Sequence, residues 1–232
     1  MASKEYKYVK HSDKQRTMIL ETAKKLFMEN EIKDVSMSQI AKENNITRAT
    51  LYRYFENKDE IVWEIYISFS QKTVGKILEN MRKKNLSTYE KIALYLQGMA
   101  NVFVEMPEFY KFFFHFSKEY LNNQMYPDTA YTRELYNTTG ITSGSTVAFM
   151  TENFHDGSIR EELDSKTTGV SVTYGALGMI QIIYNNKDSI PMKYGISAIQ
   201  VLVNALNSML VSLKKEDYHS ELAEHIWDGI DE

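Results

Sequence analysis

Long proline-free stretches with apolar residues three and four positions apart dominate the chain, which predicts an all-α protein. The first, residues 12–29, sets Ile19, Ala23, Leu26 and Phe27 on one face. A shorter pattern follows in 36–58, SMSQIAKENNITRATLYRYFENK. Ser36 and Gln39 have the capping-box spacing, and Val35 stands where it can staple onto Ile40. Thr47 repeats the cap, with Ile46 and Leu51 in the matching staple positions and Glu43-Asn44-Asn45 as a polar link. Nucleation costs too much for helices this short to stand alone, so they must pack on residues 12–29. The plan predicted is a helix-turn-helix with its second helix free on one side.

The remaining pattern predicts a larger helical body. A run from Asn57 to about Lys84 has Ile61, Ile65 and Phe69 on its seam. Ser87 and Glu90 open a helix to Met106, and Pro107 opens another to about Asn122. A further helix is expected to about Glu152, open to interruption around Gly140 and Gly144, then a turn and short helix over 153–163. Two late helices, about 166–185 and 191–214, are apolar round more of their circumference than one solvated face requires. A last short helix is expected in 215–232. The division expected is 1–58 as a helix-turn-helix domain and 59–232 as an effector-binding and dimerisation domain.

Charge sharpens this division. The formal net charge is −4, but residues 1–58 carry 12 Lys and Arg against 8 Asp and Glu, a balance of +4. The rest carries 15 against 23, a balance of −8. A basic head on an acidic body can approach phosphate while the body stays clear of it. In the second short helix, Thr47 and Thr50 can meet base edges or phosphates, and Arg48 can pair bidentately with guanine. Ala49 keeps the helix surface low, and Tyr52 can reach phosphate through its hydroxyl. Asn57 caps the next helix, so Lys58 falls in a first turn that opposes its charge, where a bound phosphate would account for it.

From Ala23 to Ile61 the chain resembles the DNA-binding domain of the TetR family of bacterial transcriptional regulators. The residues that carry the resemblance are Ala23, Leu26-Phe27, Ile40-Ala41, Thr50-Leu51-Tyr52-Arg53-Tyr54-Phe55, Lys58 and Ile61. The chain departs from the family pattern at Glu31 and Ala49, where glycine is usual. It departs again at Asn44-Asn45-Ile46-Thr47, where Ala-Gly-Val-Ser is usual. The resemblance implies base or phosphate contacts from Thr47, Arg48, Ala49 and Thr50, and phosphate contacts from Ser36, Tyr52, Tyr54 and Lys58. Lys4, Lys7, Lys10, Lys14 and Arg16 either add salt-dependent affinity or belong to a frayed start.

In the body, residues 107–120, PEFYKFFFHFSKEY, concentrate aromatics. Phe109, Phe112, Phe113, Phe116 and Tyr120 fall in one core stripe, leaving Tyr110 and Phe114 on a flank. That surplus suits the wall of an apolar cavity, with Phe103, Tyr136 and Phe149 from adjoining helices and His115 as a polar contact. The expected effector is apolar or aromatic, and the sixteen tyrosines are compatible with a cationic one. Tyr174, Leu177, Ile199, Val203, Leu206 and Leu210 are expected in an isologous four-helix interface between two copies, an arrangement the family resemblance also implies.

Other chemistry finds little support. The chain has no cysteine, its five histidines show no metal spacing, and no phosphate loop, dinucleotide fingerprint or nucleophile elbow occurs. No metal, cofactor or catalysis is expected. With no run of eighteen apolar residues and no leader pattern, the expected location is cytoplasmic. The sequence thus predicts a homodimeric regulator, most simply a repressor, released from a pseudo-palindromic DNA operator by a small molecule. Two alternatives stand beside it: a helical interaction or DNA-architectural module without effector control, and an enzyme.

Overall fold

The computed structural model describes residues 2–82, 85–121, 129–139 and 143–230. They form helices joined by turns, with one isolated antiparallel bridge between Ile159 and Lys214. In chain order come α1 (Ala2–Glu29), a 3-10 turn (Ile32–Asp34), α2 (Met37–Glu43), α3 (Arg48–Tyr52) and α4 (Lys58–Ser70). A π-helical turn (Gln71–Gly75) leads into α5 (Lys76–Arg82), followed by α6 (Thr88–Glu105) and α7 (Pro107–Phe116). A second π-helical turn (Ser117–Leu121) precedes α8 (Ala130–Thr139) and α9 (Ser143–Met150). Then come α10 (Ser165–Asn185), α11 (Ser189–Tyr194), α12 (Ala198–Leu213) and α13 (Glu221–Glu224). Packing divides the chain into two units: Met1–Phe69 with Lys111–Thr139, and Ser70–Tyr110 with Gly140–Glu232. The basic head, 1–58, lies whole within the first.

In the first unit, Ile19, Ala23, Phe27, Ile40, Leu51 and Phe55 meet in the head core. The expected seam of α4 is buried at Ile61, Ile65 and Phe69, but Val62, Trp63 and Ile67 are buried too. Aromatics from the segment after Tyr110 cover that second side. Trp63 stands edge-on to Phe116 at 5.0 Å and to Tyr120 at 5.9 Å, and Tyr66 stacks on Phe116 at 4.0 Å. Phe112 and Phe116 take the core positions expected of them.

In the second unit, α6 packs against α5, α10 and α12. Gly98 permits the close approach of α5, since a Cβ there would lie 2.5 Å from Ile77 Cγ1. The Ser87–Glu90 capping box opens α6 as expected. Thr88 N–H also donates to Asp156 Oδ2 at 2.6 Å, and Tyr89 N–H to Ser158 Oγ at 3.1 Å. That use explains why 153–163 forms turns and a bridge instead of the expected short helix.

The helix expected over 191–214 is also divided. Gly195, at φ 68°, ends α11, and a second capping box, Ser197 with Gln200, starts α12. The C-terminal segment fastens to two helices. Gln97 Nε2 donates to Ile226 O at 2.5 Å, Trp227 Nε1 donates to Asn207 Oδ1 at 2.9 Å, and Ile226 and Ile230 are buried. The expected helix there is the single turn of α13. Among the described residues no helix is long and apolar enough to cross a membrane.

Candidate nucleic-acid interface and effector domain

Side-chain caps set where α2 and α3 begin. Ser36 caps α2 by accepting from Gln39 N–H at 3.2 Å, and Thr47 caps α3 by accepting from Thr50 N–H at 3.0 Å. Between them Asn45 adopts φ 53°, a left-handed conformation that asparagine tolerates. Asn44 ties the turn down: its amide donates to Ile40 O at 2.8 Å, and its side-chain oxygen accepts from the Thr22 hydroxyl at 3.1 Å. Leu51 and Phe55 then anchor the helix in the core. The opposite face presents Thr47, Arg48, Ala49 and Tyr52 to solvent, with Thr50 half-buried. Arg48 lies along Tyr52, its guanidinium carbon 5.8 Å from the ring centroid.

The remaining head residues are held from inside. Arg16 donates to Tyr54 O and pairs with Glu60 at 3.2 Å and with Glu64, while its guanidinium lies 4.0 Å from the Phe55 ring centroid. Burial works against its charge, but the Glu64 charge and both carboxylate hydrogen bonds outweigh that and hold its pKa above the ordinary value. Arg16 thus secures the end of α3, a role its place in a run of basic residues did not reveal. Lys58 Nζ donates to Ile32 O at 2.8 Å and to Lys33 O at 3.3 Å, so its ammonium is engaged within the head.

The residues expected around an effector fall into both packing units. Phe103, Tyr110 and Phe149 belong to one; Phe114, His115 and Tyr136 belong to the other. The Tyr136 side chain lies outside the described residues. Tyr110 is not on a spare flank: it is fully buried, and its hydroxyl donates to Met99 O at 2.8 Å. Burial, reinforced by Tyr95, pushes its phenol well above the ordinary range. Phe103 is buried against Tyr110 and Tyr184, at 6.4 and 6.0 Å between ring centroids. Phe149 is half-buried with Arg82 and Lys91 at 5.4 and 5.3 Å from its ring. Phe114 is half-buried. His115 Nδ1 lies 3.1 Å from both Phe27 O and Asn30 O, at the end of α1.

The expected dimer seam also divides. Ile199, Leu206 and Leu210 are buried within the protomer, Leu206 at 0% exposure, because α12 turns that face toward α6 and α10. They serve the internal core, and other apolar positions of these helices are the exposed ones. Tyr174 is 64% exposed, while Leu177 and Val203 are half-buried. Val170, Ile182 and Val211, which sequence reasoning had not singled out, are exposed as well. Val170, Tyr174 and Ile182 follow the four-residue spacing of one face of α10. Among the described residues no group of three or more His, Asp and Glu could hold a metal ion.

Residues 19–65 match the family model of the bacterial regulatory proteins, tetR family. No curated protein matches the chain. Among solved structures, the ketosteroid transcriptional regulator KstR2 of Mycobacterium tuberculosis is similar at 16% identity, with TM-score 0.61, covering 87% of this chain and 95% of that one. The regulator FadR of Bacillus subtilis, solved with stearoyl-CoA, is similar at 18% identity and TM-score 0.59, covering 85% and 98%. SmeT, repressor of the Stenotrophomonas maltophilia multidrug efflux pump SmeDEF, is similar at 15% identity and TM-score 0.62, covering 88% and 93%. Residues 19–65 thus match the head of the tetR-family regulators, and the fold along most of the chain is shared with these solved structures.

Proposed function

We propose that this chain is a DNA-binding transcriptional regulator, a repressor that grips a pseudo-palindromic operator as a homodimer and is released by an apolar or aromatic small molecule. The observation that carries the reading is α3: capped at its start, anchored by Leu51 and Phe55, and polar and cationic on its free face. A helix so presented can enter a major groove, with Arg48 toward guanine and Thr47, Ala49 and Thr50 toward neighbouring edges or phosphates. Ser36, Tyr52 and Tyr54 supply phosphate contacts that set register.

The exposed apolar face of α10 supports association of two copies, because a monomer gains nothing by leaving Tyr174 and Ile182 in water. Two-fold symmetry then implies a two-fold operator. For the effector, the support is the aromatic packing around Phe103, the half-buried Phe149 ring beside Arg82 and Lys91, and the likeness in fold to a regulator solved with stearoyl-CoA. Arg82 and Lys91 beside Phe149 disfavour a cation there, so a neutral or anionic molecule fits that ring better. A ligand preferring the non-binding arrangement by about 100-fold would shift the equilibrium by about 2.7 kcal/mol per site. Selection from genomic DNA followed by footprinting tests the proposal. The reading requires a protected site with two-fold symmetry; protection without sequence preference would favour the architectural alternative.

A further inference from the structure

We infer that α11 and the residues just after it, 189–196, extend the association surface of this protein and pack their Met192 and Tyr194 side chains against a second copy of the chain. The inference rests on the homodimer reading and carries it beyond α10, to a segment that the internal core does not use.

Six residues are too few for a helix to stand alone, because nucleation outweighs what one or two turns return. The short helices of the head answer this with burial: α2 buries Met37, Ile40 and Ala41, and α3 buries Leu51. The α11 helix buries none of its residues, and no side chain caps its start. Its backbone is shaped by local bonds, with Asn186 O accepting from Ser189 and Ile190 N–H, and Gly195 at φ 68° closing the end. What it leaves in solvent is apolar: Met192 is 80% exposed, Tyr194 72% and Ile196 45%. An apolar patch of this kind marks an interaction surface.

The occupant follows from what adjoins the segment. Seven of the twelve large apolar side chains exposed among the described residues fall between Val170 and Val211, so α11 lies inside the stretch that holds the outer face of α10. Val170, Tyr174, Gly178 and Ile182 keep the four-residue spacing of that face, and Ile182 stands in the last turn before α11. Beyond the helix's own backbone and the adjoining residues, no atom lies within 4 Å of where a Cβ on Gly178 would stand, which leaves room for a facing helix. The exposed side chains of α10 alone offer on the order of 350 Å² of apolar area, against the ~800 Å² per partner that a stable interface buries. Met192, Tyr194 and Ile196 about double that area. A second copy seated on Ile182 therefore needs the segment that follows it, and the segment needs cover.

Met192→Ser combined with Tyr194→Ser removes the apolar groups where the protomer's core has nothing to lose. Sedimentation of the full chain should show a dimer whose dissociation constant rises by about tenfold or more in the double variant. An unchanged constant overturns the inference. The chain has no cysteine, so Met192→Cys supplies a single thiol as an independent probe. Its reaction with a maleimide should slow severalfold as protein concentration is raised through the dissociation constant; equal rates on both sides contradict the inference. Slowing that occurs only when vesicles of anionic lipid are added would give Met192, Tyr194 and the exposed Lys187 and Lys193 to a membrane surface, and also overturns it. A wild type that is monomeric at every concentration removes the homodimer reading and this inference with it. A wild-type dimer that leaves the thiol rate unchanged sinks the inference alone.

Discussion

Two surface helices of this protein expose opposite chemistries, and each exposure has a different origin. The α3 helix is five residues long, polar and cationic outward, and its position is set by caps and staples within twenty residues of itself. The α10 helix is twenty-one residues long and exposes Val170, Tyr174 and Ile182, while its other side packs on α9, α12 and α6. A short helix needs every local device to exist at all, and those devices are written in adjacent residues. A long helix forms more readily, so which of its apolar faces is internal depends on partners far away in sequence.

The largest test of that contrast compares inner and outer apolar positions. Leu206→Ala should cost about 2–5 kcal/mol of protomer stability, as a cavity forms where no solvent now reaches. Tyr174→Lys should leave the protomer folded while weakening self-association, seen as a dissociated species in sedimentation. If Leu206→Ala dissociates a fully stable protein and Tyr174→Lys changes nothing, the inner and outer faces have been exchanged. Within the aromatic segment, Tyr110→Ala should cost about 3–5 kcal/mol, for lost volume and a lost buried hydrogen bond. Thermal unfolding would register that loss, and half-buried Phe114→Ala should unfold closer to wild type. Of these two variants, the Phe114 one therefore reports more cleanly on induction by a screened effector.

Arg48→Ala comes next, with an expected loss of about 1–3 kcal/mol in operator affinity and relaxed preference at one base pair. Equal losses on operator and random DNA would assign Arg48 to phosphate. The smallest effect belongs to Asp156. Burial alone would raise its pKa, but hydrogen bonds from Ser158 and Thr88 outweigh it and hold the carboxyl below its ordinary value. With the folded value depressed, its stabilisation is present above the unfolded pKa and is lost as pH falls below about 4. Asp156→Asn should cost about 1 kcal/mol at neutral pH and show less further loss on acidification. Identical acid unfolding of variant and wild type would remove Asp156 from the pH response.

The head was legible because its signals are local. Ser36, Thr47 and Asn57 accept the expected N–H groups, and Val35, Ile40, Leu51 and Phe55 are buried as staples and anchors should be. Arg16 and Lys58 were not legible, since a cation that satisfies a distant carbonyl looks in sequence like one that faces solvent. In the body, helical spacing located α6, α7 and α10 well. It did not locate the break at Gly195, because Ile196 and Ile199 continue an apolar pattern across it. Nor could it show that Asp156 and Ser158 serve the start of α6, sixty-eight positions or more away. Tyr110 misled for a related reason: a flank that is spare on an isolated helix is core once α6 supplies a carbonyl for its hydroxyl.

The central claim is that the free face of α3 reads a two-fold DNA site. The most direct measurement is footprinting of wild type and Arg48→Ala on sites selected from genomic DNA. The account predicts two symmetric protected half-sites for wild type, with the variant weakened chiefly where it faces one base pair in each half. Protection with no symmetry, or an Arg48→Ala footprint indistinguishable from wild type, would contradict it.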